Sequence, residues 1–360
     1  MLHKPFEGKR ILITGGTGSL GKVLVRRLLS GVNGKPESVT IMSRDEAKQH
    51  YMRQEYLQRA AATDEVIYQD SQRVLKFRIG DVRNFDSVCQ ALRGVDIVFN
   101  AAALKQVPSC EYFPNEAVQT NVQGAENIVR AIMEFHLPIE VVVGISTDKA
   151  CRPINLMGMT KAIQERILLR ANLECDWTRF VAVRYGNVLA SRGSVVPLFL
   201  DQIRNGGPIT ITDPIMTRFL LSLDQAVDVV FAAVSWALPG ELVIPRIQSA
   251  RIVDLATVLI GDLPVETKVI GIRPGEKLHE ILISDDEALR TYQRDEYFVV
   301  QSILPELQRP VPNNQLILTR EFSSADTVMT PEVLREYLTR FRLLPNMIGS
   351  GELTSGELLR

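Results

Sequence analysis

Along the first half of the chain, short apolar runs alternate with amphipathic stretches of helical spacing. Ile11 to Ile13, Val39 to Met42, Val74 to Ile79, Val95 to Asn100, Ile139 to Ile145 and Trp177 to Arg184 each have the length and apolar content of a buried strand. The stretches between them gather apolar residues on one helical face, as at Leu24, Val25, Leu28 and Leu29, and again in a long amphipathic helix expected from Glu116 to Glu134. Gln49 to Arg73 is polar and reads as a helix with a mobile stretch around Ala61-Ala62-Thr63-Asp64. Strands alternating with helices in this way predict an α/β fold, a doubly wound parallel sheet with right-handed crossovers.

Beyond Tyr185 the rhythm breaks. Gly186-Asn187 and Ser191-Arg192-Gly193-Ser194 are loop-forming. A helix is expected over Val195 to Ile203 and a short strand over Ile209 to Thr212, while Asp224 to Trp236 and Glu241 to Pro245 return to the first lobe as helix and strand. The expected organisation is a dinucleotide-binding lobe over 1–190 plus about 222–245, a smaller C-terminal α/β substrate lobe over 191–221 and 246–340, and a tail over 341–360.

Candidate chemistry sits at the carboxyl ends of the predicted strands, where open parallel sheets place their ligands. Thr14-Gly15-Gly16-Thr17-Gly18-Ser19-Leu20-Gly21 joins the first strand to a helix. In that context Gly15 makes a tight turn, Gly18 lets backbone amides approach a pyrophosphate, and Gly21 lets helix and strand pack closely. The second strand ends in Ser43-Arg44, and an arginine there suits a 2′-phosphate, so NADP is expected rather than NAD. Asp45 and Glu46 are expected in the first turn of the next helix. Asp81, followed by Val82, is placed for an adenine amino group or as a helix cap. Ala101-Ala102-Ala103 leave room against a cofactor, and Asn121 is placed to contact backbone near the loop after Ser146. The fifth strand runs into Ser146-Thr147-Asp148-Lys149, with Lys161 on the following helix, so an acid and two amines gather at one sheet edge.

Composition narrows the partners. With 41 Lys and Arg against 42 Asp and Glu, the chain has no global field to attract nucleic acid or an anionic membrane. Its 4 cysteines, Cys89, Cys110, Cys151 and Cys175, show no Cys-x-x-Cys spacing, so neither a disulfide framework nor a zinc site is expected, and a reducing cytoplasm fits. No apolar run approaches membrane-spanning length, and the first strand begins too early to leave room for a signal peptide.

Taken together, several stretches carry a specific resemblance. Thr14-Gly-x-x-Gly-x-x-Gly21, Ser146-Thr-Asp-Lys149 and Lys161 resemble the extended short-chain dehydrogenase/reductases. Ala101-Ala-Ala-Leu-Lys-Gln-Val-Pro108, Arg184-Tyr-Gly-Asn-Val188, Ser191-Arg-Gly-Ser-Val-Val-Pro197, Thr210-Ile-Thr-Asp213 and Met216-Thr-Arg-Phe219 are similar to the inverting UDP-N-acetylglucosamine 4,6-dehydratases of bacterial surface-glycan biosynthesis. The likeness extends from about Lys9 to about Phe298. It implies NADP in the first lobe, UDP-N-acetylglucosamine between the lobes and a homo-oligomer.

The resemblance also implies roles. Lys149 would take the C5 proton and Asp148 would protonate the departing C6 hydroxyl. A lysine acts as base near neutral pH only if its proton affinity is lowered, and Lys161 is the cation expected to lower it. Asp148 is expected to be held protonated before elimination. Lys161 would also contact the nicotinamide ribose. Arg218 and Arg273 suit the diphosphate, Asn187 the sugar or diphosphate, and Glu276 the uridine ribose. Lys105, Ser194 and Val195 complete the expected substrate contacts. Most family members carry a tyrosine four residues before the helical lysine, whereas this chain has Met157 there. A subgroup that combines dehydration with further epimerisation shares that methionine, so epimerisation at C3 as well as C5 stays open. Met157 cannot hold a proton; the C4 hydroxyl's proton then passes to Asp148, Lys149, Thr147 or a water. The competing readings are a nucleotide-sugar 4-epimerase of the same fold and a non-catalytic nucleotide-sugar or NADP sensor.

Overall fold

The computed structural model describes residues 4–62, 71–189, 194–310 and 318–347. Thr63 and Asp64, Ser191 to Gly193 and the Gly-Glu-Leu tail lie outside them. Six parallel strands follow the predicted rhythm: β1 (Arg10–Thr14), β2 (Ser38–Ser43), β3 (Leu75–Ile79), β4 (Ile97–Asn100), β5 (Val141–Ile145) and β6 (Arg179–Val183). They lie in the order β3-β2-β1-β4-β5-β6, with Ile13 opposite Ile41 and Phe99, and Val143 opposite Phe99 and Val181. The chain reverses direction across the sheet between β1 and β4, the place where doubly wound folds open a crevice.

Alternate strand residues face opposite layers, as a period of two requires. Ile11 and Ile13 pack with the helices Ser19–Leu29 and Leu223–Trp236 on one face. Leu12, Val98 and Val142 pack with the helices Phe85–Leu92, Gly124–Glu134 and Leu156–Arg170 on the other. A separate core gathers Phe199, Leu255, Leu259, Leu334 and Leu338 in the second lobe.

The sheet is larger than the sequence predicts. After β6 it continues with the parallel strand Leu242–Pro245, as expected, and then with an antiparallel hairpin, Tyr297–Val300 and Thr291–Arg294. The boundary drawn at 246–340 assigned that hairpin to the second lobe. Its four-residue strands pair with the sheet edge at Leu242–Pro245, a pairing that periodicity alone does not reveal. The helix expected from Glu116 to Glu134 is also broken. A π turn over Val118–Gln123 separates the short helix Pro114–Ala117 from Gly124–Glu134. No helix among the described residues is long and apolar enough to cross a membrane.

Candidate active site

The glycine turn is shaped by close backbone approach. Gly15 has φ of 67°, and a Cβ there would stand 2.8 Å from the Ala102 Cα, so β1 and the loop after β4 meet only because this residue lacks a side chain. Thr14 holds the same junction. Its hydroxyl donates to Asn100 Oδ1 at 3.0 Å and accepts from the Ala102 amide at 3.1 Å. Gly18 caps Ser19–Leu29 with extended backbone and offers no side-chain hydrogen bond, leaving the first amides of that helix for a ligand.

The glycine turn opens on a cavity of about 1090 Å³ between the carboxyl edge of the sheet and the second lobe. Gly15, Thr17, Gly18, Ser19, Leu20 and Gly21 line one end with Ser43, Arg44, Asp81, Val82 and Ala101 to Ala103. Thr147, Asp148, Lys149, Met157 and Lys161 line the middle, and Lys105, Asn187, Ser194, Arg218, Arg273 and Glu276 complete the wall. Two expected contacts stand apart from the lining. Thr14 lies behind the wall at the strand junction, and Val195 begins the helix Val195–Arg204 with its side chain against the second-lobe core.

Beside the glycine turn, at the end of β2, Arg44 Nη1 lies 3.9 Å from Asp81 Oδ2. Asp81 does not cap the next helix; Asn84 does, accepting from the Ser87 amide at 2.8 Å. Burial would raise the Asp81 proton affinity, but Arg83, at 2.7 Å, and Arg44 hold the carboxyl below its ordinary value. Asp45 accepts from the Lys48 amide at 2.9 Å at the start of Glu46–Ala62, and its carboxylate also pairs with the Lys48 amine.

The loop from Ser146 to Ala150 hangs from β5 and β6. The Ser146 amide donates to Val183 O at 2.7 Å and the Asp148 amide to Tyr185 O at 3.1 Å, before a short 3₁₀ turn over Asp148–Ala150. Asn155 caps the helix Leu156–Arg170, accepting from the Gly158 amide at 2.8 Å. A side chain at Gly158 would collide with the Lys149 carbonyl, so this glycine lets the helix bearing Met157 and Lys161 close against the loop. Behind the loop, Arg184 grips Glu165 (2.7 Å) and Glu287 (2.8 Å), and Ser146 donates to Glu165. Burial would raise the Glu287 carboxyl, yet Arg184 draws it down to about 2.

Asp148 is fully buried. Its Oδ1 accepts from Thr147 Oγ1 at 2.8 Å and from Lys149 Nζ at 3.0 Å. The two amines differ from the sequence expectation. Burial would lower the Lys149 proton affinity, but the carboxylates of Asp148 and Glu280 outweigh it and hold the amine above the ordinary lysine value, with Arg218 opposing. Lys161 does not supply a cation to Lys149; its amine donates to Ile145 O and to Gln164 Oε1 instead. Burial, opposed only by Glu165, brings Lys161 down to about 8. The depressed amine is therefore Lys161. Met157 packs with Cys110 and Ala117 beside the wall. Asn121 spans the π turn and the loop after β4, with Oδ1 accepting from the Leu104 amide at 2.8 Å and Nδ2 donating to Leu104 O and Thr160 Oγ1 at 3.0 Å.

The wall also holds residues that sequence reasoning passed over, chiefly Tyr185, Thr120 and Glu280. Tyr185 was visible inside the Arg184-Tyr-Gly-Asn motif, whereas Glu280 stands in a stretch that carried no assigned chemistry. Buried oxygens without a hydrogen-bond partner among the described residues cluster here: Thr120 Oγ1, Asp148 Oδ2, Asn187 Oδ1, Ser194 Oγ, Glu276 Oε2 and Glu280 Oε2. Such atoms are costly unless a ligand satisfies them.

A family model described as polysaccharide biosynthesis protein matches residues 11–302. The chain is 43% identical over 299 residues to the UDP-glucose 4-epimerase of Rickettsia bellii, spanning 81% of this chain and 83% of that protein. It is 42% identical over 298 residues to the inverting UDP-N-acetylglucosamine 4,6-dehydratase of Campylobacter jejuni, spanning 82% and 83%. Among solved structures, Pen from Bacillus thuringiensis superposes with a TM-score of 0.83 at 34% identity, covering 94% of this chain and 99% of that one. The glycine turn, the crevice between β1 and β4 and these likenesses identify the chain as a member of the polysaccharide biosynthesis protein family with the fold of the extended short-chain dehydrogenase/reductases.

Proposed function

We propose that the protein is an NADP-dependent UDP-N-acetylglucosamine 4,6-dehydratase that inverts C5. The observation that carries this reading is the pair of buried Asp148 and part-exposed Lys149, 3.0 Å apart, on the wall of the cavity that the glycine turn also lines. The name of the Campylobacter jejuni relative supports the substrate. Open amides at Ser19–Leu29 and the close Gly15–Ala102 approach suit a dinucleotide. Arg44, with Lys48 beside it on the wall, favours a 2′-phosphate, and Asp45 is committed to its helix. Bound there, NADP would supply the reversible hydride acceptor that oxidation at the sugar C4 and reduction at C6 require.

The residues of the chain handle protons and charge. Arg218, buried on the strand Thr217–Leu221, and Arg273 meet the diphosphate, and Asn187 and Glu276 offer unpartnered oxygens to sugar and ribose hydroxyls. Lys149 must be neutral to take the C5 proton, and Asp148 must be protonated to release the C6 hydroxyl as water. Their resting ion pair is one proton transfer from that state, along the 3.0 Å bond they already share. Lys161 accepts the C4 hydroxyl's proton in place of a phenol. Its bonds to Ile145 O and Gln164 Oε1 are the two that a neutral amine can donate, which leaves its lone pair.

The protein is further proposed to act as a homo-oligomer in the cytoplasm. Val118, Met159 and Ile163 are exposed on the packed π turn and helix Leu156–Arg170, and Tyr112 and Phe113 are exposed at the end of the helix Val107–Tyr112 that packs on the same helix, apolar side chains suited to a second copy. The functional reading is tested by incubating the protein with UDP-N-acetylglucosamine and NADP and weighing the product by mass spectrometry. Loss of one water is expected. A product of unchanged mass with an inverted C4 hydroxyl would make it a 4-epimerase, and binding without turnover would make it a sensor.

A further inference from the structure

Glu280 reaches the site from the second lobe, just before the strand Ile281–Ile283. Its backbone is fixed on both sides by Ser324, whose amide donates to Glu280 O at 2.8 Å and whose hydroxyl accepts from the Glu280 amide at 2.9 Å. Its carboxylate is 3% exposed, with Oε1 at 3.4 Å from Lys149 Nζ and 3.9 Å from Arg218 Nε. The second oxygen, Oε2, is buried without a hydrogen-bond partner among the described residues, although Glu280 lines the cavity. Unlike the buried carboxylates that Arg184 pairs behind the loop, this one is half satisfied, and its free oxygen is costly unless a ligand meets it.

We propose that Glu280 is a positioning residue: its carboxylate anchors the Lys149 amine at the cavity wall, stabilises its ammonium form, and releases it when a substrate hydroxyl binds Oε2. This rests on the dehydratase reading above. A hydrogen bond accepted at Oε2 draws negative charge away from Lys149, and the ammonium proton then passes from Nζ to Asp148, giving the neutral amine and the carboxylic acid that elimination needs. No other atom moves, and no proton is gained or lost in the step. The charges that face Lys149 are Asp148 on its own loop, Glu280 and Arg218 on the second lobe, and Lys277, whose amine donates to Cys151 O at 2.6 Å. Glu280 is the one carboxylate among them that approaches from outside the loop.

The test reads the amine directly. About a quarter of the Lys149 side chain is exposed (23%), so acetic anhydride in trace amount labels it through the cavity, and peptide mass spectrometry gives the labelling rate against pH. Glu280→Gln is expected to lower the midpoint by about one pH unit, a tenfold faster labelling at fixed alkaline pH, while Glu280→Asp keeps it near wild type. Ser324→Ala, which frees the Glu280 backbone, is expected to move it the same way by less, and serves if Glu280→Gln does not fold. The pH profile of C5 deuterium exchange should follow the same shift. An unmoved midpoint in folded Glu280→Gln overturns the proposal. If the midpoint moves but wild-type protein leaves UDP-N-acetylglucosamine intact, the link between Glu280 and Lys149 stands and the dehydratase reading fails; turnover with an unmoved midpoint has the opposite meaning.

Discussion

Lys149 Nζ lies 3.0 Å from Asp148 Oδ1, and both side chains face the cavity that the glycine turn also lines. On the proposed reading, these two adjacent residues are the base and the acid that act on one ligand. Lys149→Ala is expected to abolish C5 exchange, and Asp148→Asn to slow loss of water, each by about 10²–10⁴-fold. Stopped-flow absorbance and deuterium exchange measure these separately, and NADP binding should survive both changes. Exchange at the wild-type rate in Lys149→Ala would reassign the base.

Lys161, held at about 8 by burial, gives the first oxidation a distinct pH dependence. The amine accepts a proton only when neutral. The rate of C4 oxidation should therefore rise as pH climbs through about 8 and level off above it. Lys161→Met should remove that limb and the transient nicotinamide absorbance. A flat profile across this range in wild-type protein would point to another acceptor.

Arg44 sits at the end of β2 with half of its side chain exposed (51%). Arg44→Ala is expected to weaken NADP binding by about tenfold while leaving NAD nearly unchanged, because only the 2′-phosphate loses its partner. Isothermal titration with both cofactors checks this. Equal losses for the two would place the 2′-phosphate elsewhere.

Arg184 neutralises two buried carboxylates, Glu165 and Glu287, directly behind the catalytic loop. Arg184→Met leaves both without a counter-ion and is expected to cost about 3–5 kcal/mol, measured by urea unfolding. Glu287 also gives the fold an acid limit. Its folded-state value of about 2 lies below the ordinary glutamate value of 4.5, so its contribution is complete above 4.5 and is lost as pH falls toward about 2.

Local pattern made the frame legible. The strand-glycine-helix junction at Thr14 to Gly21 and the apolar run ending at Ser146 both depend on residues close in sequence, and both appear where the spacing placed them. Asn121 was expected near the loop after Ser146, but the backbone it bonds is Leu104, in the loop after β4. What escaped detection depends on partners brought together from far along the chain. The hairpin Thr291–Val300 joins the sheet through Leu242–Pro245, and nothing in its short alternation names that edge. The proton affinities of Lys149 and Lys161 were expected the other way round, because Glu280, 131 residues beyond Lys149, cannot be placed beside it from sequence. The π turn at Val118–Gln123 buries the polar Thr120 and Asn121 and leaves Val118 exposed, and a single extra residue in a helical turn leaves no mark that periodicity can read.

Proton NMR of the product formed from UDP-N-acetylglucosamine in deuterated water tests the Asp148–Lys149 couple most directly. A 6-methyl group with deuterium at an inverted C5 is the predicted result, absent in Lys149→Ala. A product that keeps its 6-hydroxyl and its C5 proton would contradict the account.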